Sequence, residues 1–388
     1  MQPDALTSAE IFSGCGGLAL GLSRAGFKHS LLVEWDHDAA ETVAHNIKRN
    51  LEHVADWPYE REDVRNVDWT HHKNVDVLAG GPPCQPFGIG GKALGPDDER
   101  DMWPEAVRAV REAEPTAFAF ENVFGLLRER FEGYVAWVRA SLERPYLTRK
   151  LKESHEEHLK RLTQSRRPKT YHVVIQSVNA AEFGAAQNRR RILFLGVRAD
   201  AGFEPPMLKR THSRERLIWD QFVSGEYWER HEIEPRKPLL QVDASLAQRL
   251  KTSLVQPPGK AWVTIRDVFH DLGEPEGKNG HMFQGGARTY PGHTGSPLDL
   301  PAKALKAGDH GVPGGENMMF RDDGTVRYFT IRESARLMGL PDDYEFPRSW
   351  TESMRQMGNA VPVQLAEAVG KWLADQVSNA NATKKSAA

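Results

Sequence analysis

Cysteine is nearly missing from this chain. Two residues, Cys15 and Cys84, among 388 exclude a disulfide scaffold and a four-cysteine zinc site, and they suit a reducing compartment. Long apolar runs are missing as well, so neither a membrane span nor a secretory leader is expected. Neither sign of charge dominates, with 51 Lys and Arg against 53 Asp and Glu, so bulk electrostatics neither demand nor forbid a polyanionic partner. A cytoplasmic protein with no membrane partner is expected. At 43.6 kDa it should hold one large α/β domain and a smaller one.

What is present is organised around Gly80-Gly81-Pro82-Pro83-Cys84-Gln85-Pro86-Phe87, which follows an apolar run, 75–79, that reads as a buried parallel strand. The flanking glycines and prolines stop any regular element, leaving Cys84 on a constrained turn at a strand's carboxyl end. Open α/β sheets place their sites there. A lone cysteine is more often a small buried hydrophobe, and a reactive one needs a nearby cation or helix N-terminus.

Other strand tips carry chemistry too. The strand 9–12 runs into Ser13-Gly14-Cys15-Gly16-Gly17 and then a helix, a turn that lets backbone approach a ligand. The next strand, 30–33, ends in Glu34-Trp35-Asp36. A carboxylate there can accept from both ribose hydroxyls of an adenosine cofactor, and Trp35 offers adenine a flat face. Asp63, where a third strand ends, can accept from the adenine amino group. The strand 117–120 ends in Glu121-Asn122-Val123, a second carboxylate at the same edge as Cys84.

Strands 171–178 and 192–197 flank Gln187-Asn188-Arg189-Arg190-Arg191. Period-two spacing would send Gln187, Arg189 and Arg191 to one face. Between Arg139 and Lys169 lie Arg144, Arg149, Lys150, Lys152, Lys160, Arg161, Arg166 and Arg167, thinned by Glu143, Glu153, Glu156 and Glu157. That cluster suits a solvated helix face with i,i+4 pairs as well as it suits a DNA contact. From about residue 204 prolines and glycines multiply and apolar periodicity fades, as on a recognition surface. Thr330 with Glu333 forms a helix-capping pattern, and a helix should run through Leu373 after Gly358-Asn359-Ala360-Val361-Pro362. The segment 379–388 is expected to be a disordered tail.

In joint order and spacing, Phe12 to Gly17, Glu34-Trp35, Asp63, Pro83-Cys84-Gln85, Glu121-Asn122-Val123, Gln187 to Arg191, Arg332 and Gly358 to Val361 resemble the cytosine-C5 DNA methyltransferases. The resemblance implies a doubly wound, mostly parallel sheet with 1–203 and 326–378 as the catalytic domain and 204–325 as an inserted target-recognition domain. It implies S-adenosylmethionine as cofactor, leaving as S-adenosylhomocysteine, with no metal. Phe12, Gly14, Gly16, Gly17, Leu18, Glu34, Trp35, Asp63, Val64, Pro83 and Asn359 would hold it.

By the same resemblance Cys84 adds to C6 of a flipped-out cytosine, and Glu121 donates to N3. Arg189 and Arg191 would orient Glu121 and bind the base carbonyl or a phosphate. Gln85, Gln187, Arg288, Lys303 and Lys306 would contact double-stranded DNA, with the enzyme acting as a monomer. Arg332 would tie the recognition domain to the catalytic one, and the loop 88–92 would close over the base. A separately encoded restriction endonuclease is the expected biological partner. Two departures stand out: Gly88 where many members have serine, and Trp103 in place of a leucine near the cofactor. The rival readings are a tRNA cytosine-C5 methylase on this fold, a nucleic-acid-binding module without chemistry, and a dehydrogenase, whose full glycine fingerprint is missing.

Overall fold

A computed structural model describes residues 5–83, 101–253, 255–277, 280–291, 294–307 and 317–387. Two compact units divide the chain: Met1–Val178, Arg190–Leu208 and Ala366–Ala388 form the first, and Asn179–Arg189 with Lys209–Leu365 form the second. These bounds differ from the expected 204–325 insertion. The motif 179–189 and the helices before 366 belong with the second unit.

The first unit is built on β1 (Thr7–Ile11), β2 (Lys28–Glu34), β3 (Tyr59–Arg61), β4 (Val77–Gly80), β5 (Ala117–Val123), β6 (Tyr171–Asn179) and β7 (Arg190–Arg198). They form a seven-stranded sheet in the order β3-β2-β1-β4-β5-β7-β6. β1 to β5 pair in parallel, and β7 runs antiparallel to β5. The chain reverses direction across the sheet between β1 and β4, the switch point at which open sheets open a crevice at their carboxyl ends.

Helices α1 (Gly17–Arg24), α2 (His37–Lys48), α3 (Trp103–Ala113), α4 (Glu132–Glu143) and α5 (His155–Thr163) complete this unit with the terminal helix Val363–Ala387. Alternation along the strands sends Ala9, Ile11, Leu31, Val33, Phe118 and Phe120 into one core with the buried faces of α3 and α4. α1 and the terminal helix cross at van der Waals range. A side chain on Gly21 would start 2.3 Å from the Ala366 Cβ, and one on Gly370 would start 2.6 Å from the Ala25 Cβ. The terminal helix persists through Ala387, so the expected disordered tail is helical there.

In the second unit, helices at Arg214–Trp219, Glu226–Arg230 and Gln241–Ser253 carry small cores of Leu217, Tyr227 and Trp228 and of Ile218, Ala247 and Leu250. The expectation of few core positions after 204 is corrected there. A capping box of Thr330 and Glu333 opens the helix Ile331–Leu337, as the spacing predicts. Among the described residues no helix is long and apolar enough to cross a membrane.

Candidate active site

The tip of β2 and the turn after β1 are tied together by one carboxylate. Glu34 Oε2 accepts from the Gly14 N–H at 2.8 Å and Oε1 from the Asp36 N–H at 2.9 Å. The turn needs left-handed backbone at Phe12 (φ +57°), Gly14 (+55°) and Gly16 (+81°), which glycine supplies cheaply and Phe12 only at a cost. Burial pushes the Glu34 carboxyl above its ordinary range, and the two N–H donors pull against that shift.

A cavity of about 330 Å³ opens at these tips, lined by Phe12, Val33, Glu34, Trp35, Glu62, Asp63, Val64, Arg65, Pro83 and Met102. Its volume is that of a small cofactor site. Of the residues expected to bind cofactor, Phe12, Glu34, Trp35, Asp63, Val64 and Pro83 line it. Gly14 and Gly16 shape the turn, while Gly17 and Leu18 are buried in the start of α1. Trp35 is 67% exposed, leaving an indole face available to stack.

Asp63 is less free than expected. Its carboxylate takes the Arg65 guanidinium at 2.5 to 3.0 Å and caps the following turn through the Arg65 N–H, and this arginine holds its pKa below the usual carboxylate range. Arg65 escaped the sequence reading, as did Arg108 of α3. Arg108 braces the loop behind the cavity through the carbonyls of Val64 (2.7 Å) and Val67 (3.0 Å). The only signal for Arg108 is its i−3 and i+4 partners, Glu105 and Glu112.

The tryptophan departure is corrected. Trp103 is fully buried, packed 4.6 Å from the Phe194 ring and 6.1 Å from Phe120, so it has no surface to offer a cofactor. Its neighbour Met102 lines the cavity instead.

At the tip of β5, Glu121 is in an ion pair with Arg191 Nε, across the β5–β7 ladder. Asn122 Nδ2 donates to the Pro82 carbonyl at 3.0 Å, and a side chain on Gly81 would start 3.5 Å from Glu121 Oε2. The acid and the entrance to the cysteine turn are therefore neighbours. At the other end of that segment, Asp101 accepts from the Trp103 N–H at 3.1 Å and from the Tyr134 hydroxyl at 2.6 Å. Cys84, Gln85 and the loop 88–92 lie outside the described residues.

In the second unit two expectations are corrected. Arg189 is 1% exposed, and its guanidinium donates to the carbonyls of Leu305 (2.9 Å), Gly358 (2.6 Å) and Ala360 (3.0 Å), so it is a strut rather than a substrate contact. Gln187 is fully buried, accepting from the Leu305 N–H at 3.0 Å and donating towards Met338 Sδ, so it offers DNA nothing. The even face expected for 187–191 is broken because the Arg189 N–H turns back to the Gln187 carbonyl.

Asn359, Arg288 and Lys306 are exposed and Lys303 is half-buried. Arg332 is 3% exposed and holds the turn at 341–344 through the Pro341 and Tyr344 carbonyls.

The strand order, with a cavity at the switch point, defines a fold class, the doubly wound α/β sheets, and the solved structures that superpose on the chain share that fold. Within that class the model of the C-5 cytosine-specific DNA methylases matches residues 6–144 and 148–375, and the chain belongs to that family. It is similar to the type II methyltransferase M.NgoMIV of Neisseria gonorrhoeae, with 29% identity over 97% of this chain and 99% of the relative. It is also similar to M.PspPI of a Psychrobacter strain, with 31% identity over 93% and 77%.

Among solved structures, Spodoptera frugiperda DNMT2 superposes with a TM-score of 0.56 at 15% identity, covering 95% of this chain and 99% of that one. A DNA modification methyltransferase encoded within an E. coli prophage gives 0.53 at 22%, covering 96% and 100%. At those identities the likeness speaks to the fold. The activity is that of the family, DNA cytosine-5 methylation.

Proposed function

We propose that the enzyme methylates one cytosine of a specific double-stranded sequence through a covalent Cys84–C6 adduct, and that it acts as a monomer. Bound S-adenosylmethionine supplies an electrophilic methyl group on a sulfonium. Cytosine C5 is too poor a nucleophile to take it unaided. The Cys84 thiolate adds to C6, Glu121 gives a proton to N3, and the electron density released reaches C5. Once C5 has taken the methyl group, with S-adenosylhomocysteine as the leaving group, loss of the C5 proton to a base or water would re-form the C5–C6 double bond and expel the thiolate, and N3 would return its proton to Glu121.

Arg191 holds Glu121 at the strand tip while this happens. The target base must leave the stack first, at roughly a few kcal/mol. Glu34 would accept from the ribose hydroxyls, and Trp35 would stack on adenine. The residues present fit such a group, since an acceptor, an exposed aromatic face and a cavity of suitable volume occur together.

The region 284–317 would read the DNA sequence, with Arg288, Lys303 and Lys306 facing guanine or phosphate. The recognition role is assigned to the second unit rather than to 204–325 alone. The type II relatives support a role in protecting DNA from a separately encoded endonuclease. The family match and these relatives favour DNA over tRNA as substrate.

The observation that carries the reading is the adjacency of Glu121 to Gly81, with Asn122 fixing the Pro82 carbonyl two residues before Cys84. A duplex bearing 5-fluorocytosine cannot release its C5 substituent as a proton, so it should trap the adduct. Wild type should give a complex that survives denaturation, and Cys84→Ser should give none while still binding S-adenosylhomocysteine. Glu121→Gln should slow methylation by about 10²- to 10⁴-fold. A trapped complex with Cys84→Ser would sink the mechanism.

A further inference from the structure

The connection between α4 and α5 is a rigid basic tip on the rim of the catalytic unit, and we propose that it grips the phosphate backbone of the duplex beside the target base. This rests on the DNA-methylase reading above.

The acids of the region are largely spent inside it. Glu143 pairs with Arg139, Arg144 and Lys169; Glu153 takes Arg161; Glu157 caps α5 through the Ser154 N–H. Glu156 alone remains as an exposed acid in the first turn of α5. Lys150 and Lys152 are exposed, and among the described residues neither ammonium is in an ion pair. Between them Leu151 is 94% exposed.

The tip is held, not frayed. Arg161 reaches the Thr148 carbonyl at 2.7 Å, His158 Nε2 reaches the Leu147 carbonyl at 2.6 Å, and the Lys150 N–H donates to Glu153 at 2.8 Å. Lys152 is fixed in left-handed backbone at φ +64°. Ordering two lysines and a leucine in water brings no return, so the rigidity suits a surface prepared for contact.

The tip is also in the right place. The Tyr134 hydroxyl bonds Asp101, where the segment carrying Cys84 rejoins the described fold; the His155 ring lies 5.6 Å from Tyr134; Arg149 Nη1 is 3.0 Å from His155 Nε2. A relay of contacts thus runs from the exit of the cysteine segment to the tip. Two ammonium groups flanking an apolar side chain suit phosphates on either side of a sugar edge, a contact that positions the duplex without reading bases.

The test is DNA binding by the full-length Lys150→Ala/Lys152→Ala variant, using a cognate and a scrambled 30-base-pair duplex across a salt series. Each phosphate contact contributes about 0.9 to the slope of log affinity against log salt. The variant should therefore lose about 2 units of slope on both duplexes, and about tenfold in affinity at moderate salt. Its melting temperature, S-adenosylhomocysteine binding and kcat at saturating DNA should match wild type.

An unchanged slope would overturn the proposal and leave the tip as a solvated face or a protein-docking surface. A loss confined to the cognate duplex would overturn it too, since base reading would then be at work. Absence of methylation by the wild type would instead defeat the underlying reading, which keeps the two failures apart.

Discussion

Arg189 and Arg191 stand two positions apart, and their surroundings separate them. Arg189 spends its guanidinium on three carbonyls of the second unit, so Arg189→Ala leaves buried acceptors unsatisfied and should cost about 2–5 kcal/mol, read as a lower melting temperature. Arg191 pairs with Glu121 at a strand tip, so Arg191→Ala should lower kcat by about tenfold or more with the melting temperature little changed. If Arg189→Ala folds as well as wild type and loses only kcat, its assignment as a strut is wrong.

Glu34 offers a pH test. Burial raises its pKa above the ordinary carboxylate range, so its proton returns at a higher pH than for a surface glutamate. Only the ionised form can serve two N–H donors and both ribose hydroxyls. Affinity for S-adenosylhomocysteine should therefore weaken as pH falls through that raised value, approaching tenfold per unit, and Glu34→Gln should flatten the profile. Titration calorimetry between pH 5 and 8 checks it.

Glu34, Trp35 and Glu121 were legible in the sequence because an apolar strand ending in a carboxylate marks its own tip. Arg65, Arg108 and the inward turn of Arg189 were not. Their roles depend on which carbonyls or carboxylates the tertiary fold brings near, and that leaves no local pattern.

At the scale of elements, α1, which follows the turn after β1, is set against a tightly crossing terminal helix through Gly21 and Gly370. Gly358 does comparable work in the second unit: a side chain there would start 2.3 Å from the Ala307 N–H nitrogen and 2.5 Å from the Lys306 carbonyl carbon, both backbone atoms that cannot rotate away. Gly358→Ala should therefore destabilise by about 1–3 kcal/mol and shift the neighbouring exposed Asn359. A denaturant midpoint equal to wild type would contradict this.

Strands β1, β2, β4 and β5 were readable from short apolar runs, and the Thr330 cap from its spacing. The helices between 214 and 253 were not, because their buried faces are small and their aromatic anchors, Tyr227 and Trp228, sit on a five-residue helix with too few turns to show a period.

Over the whole molecule, one buried group sets a stability trend. Glu10 on β1 is fully buried, and among the described residues neither carboxylate oxygen has a hydrogen-bond partner. Burial, helped by the nearby Glu34 charge, keeps it protonated well above the ordinary glutamate range. In the unfolded chain Glu10 ionises near pH 4.3–4.5, at its usual value. Between that pH and its raised native value the unfolded state binds fewer protons, so stability falls as pH rises, by up to about 1.4 kcal/mol per unit. Glu10→Gln removes the ionisation, and its melting temperature should pull ahead of wild type as pH is raised from 5 to 8. Parallel melting curves across that range would contradict the assignment.

The catalytic unit is stitched from three stretches, and its last one, beginning at Ala366, seats against the helix that follows the glycine turn. During synthesis the ribosome delivers the turn, Glu34 and Asp63 hundreds of residues before it delivers that seat. The nascent chain therefore holds the glycine turn, Glu34 and Asp63 long before the helix that packs against α1 has been made.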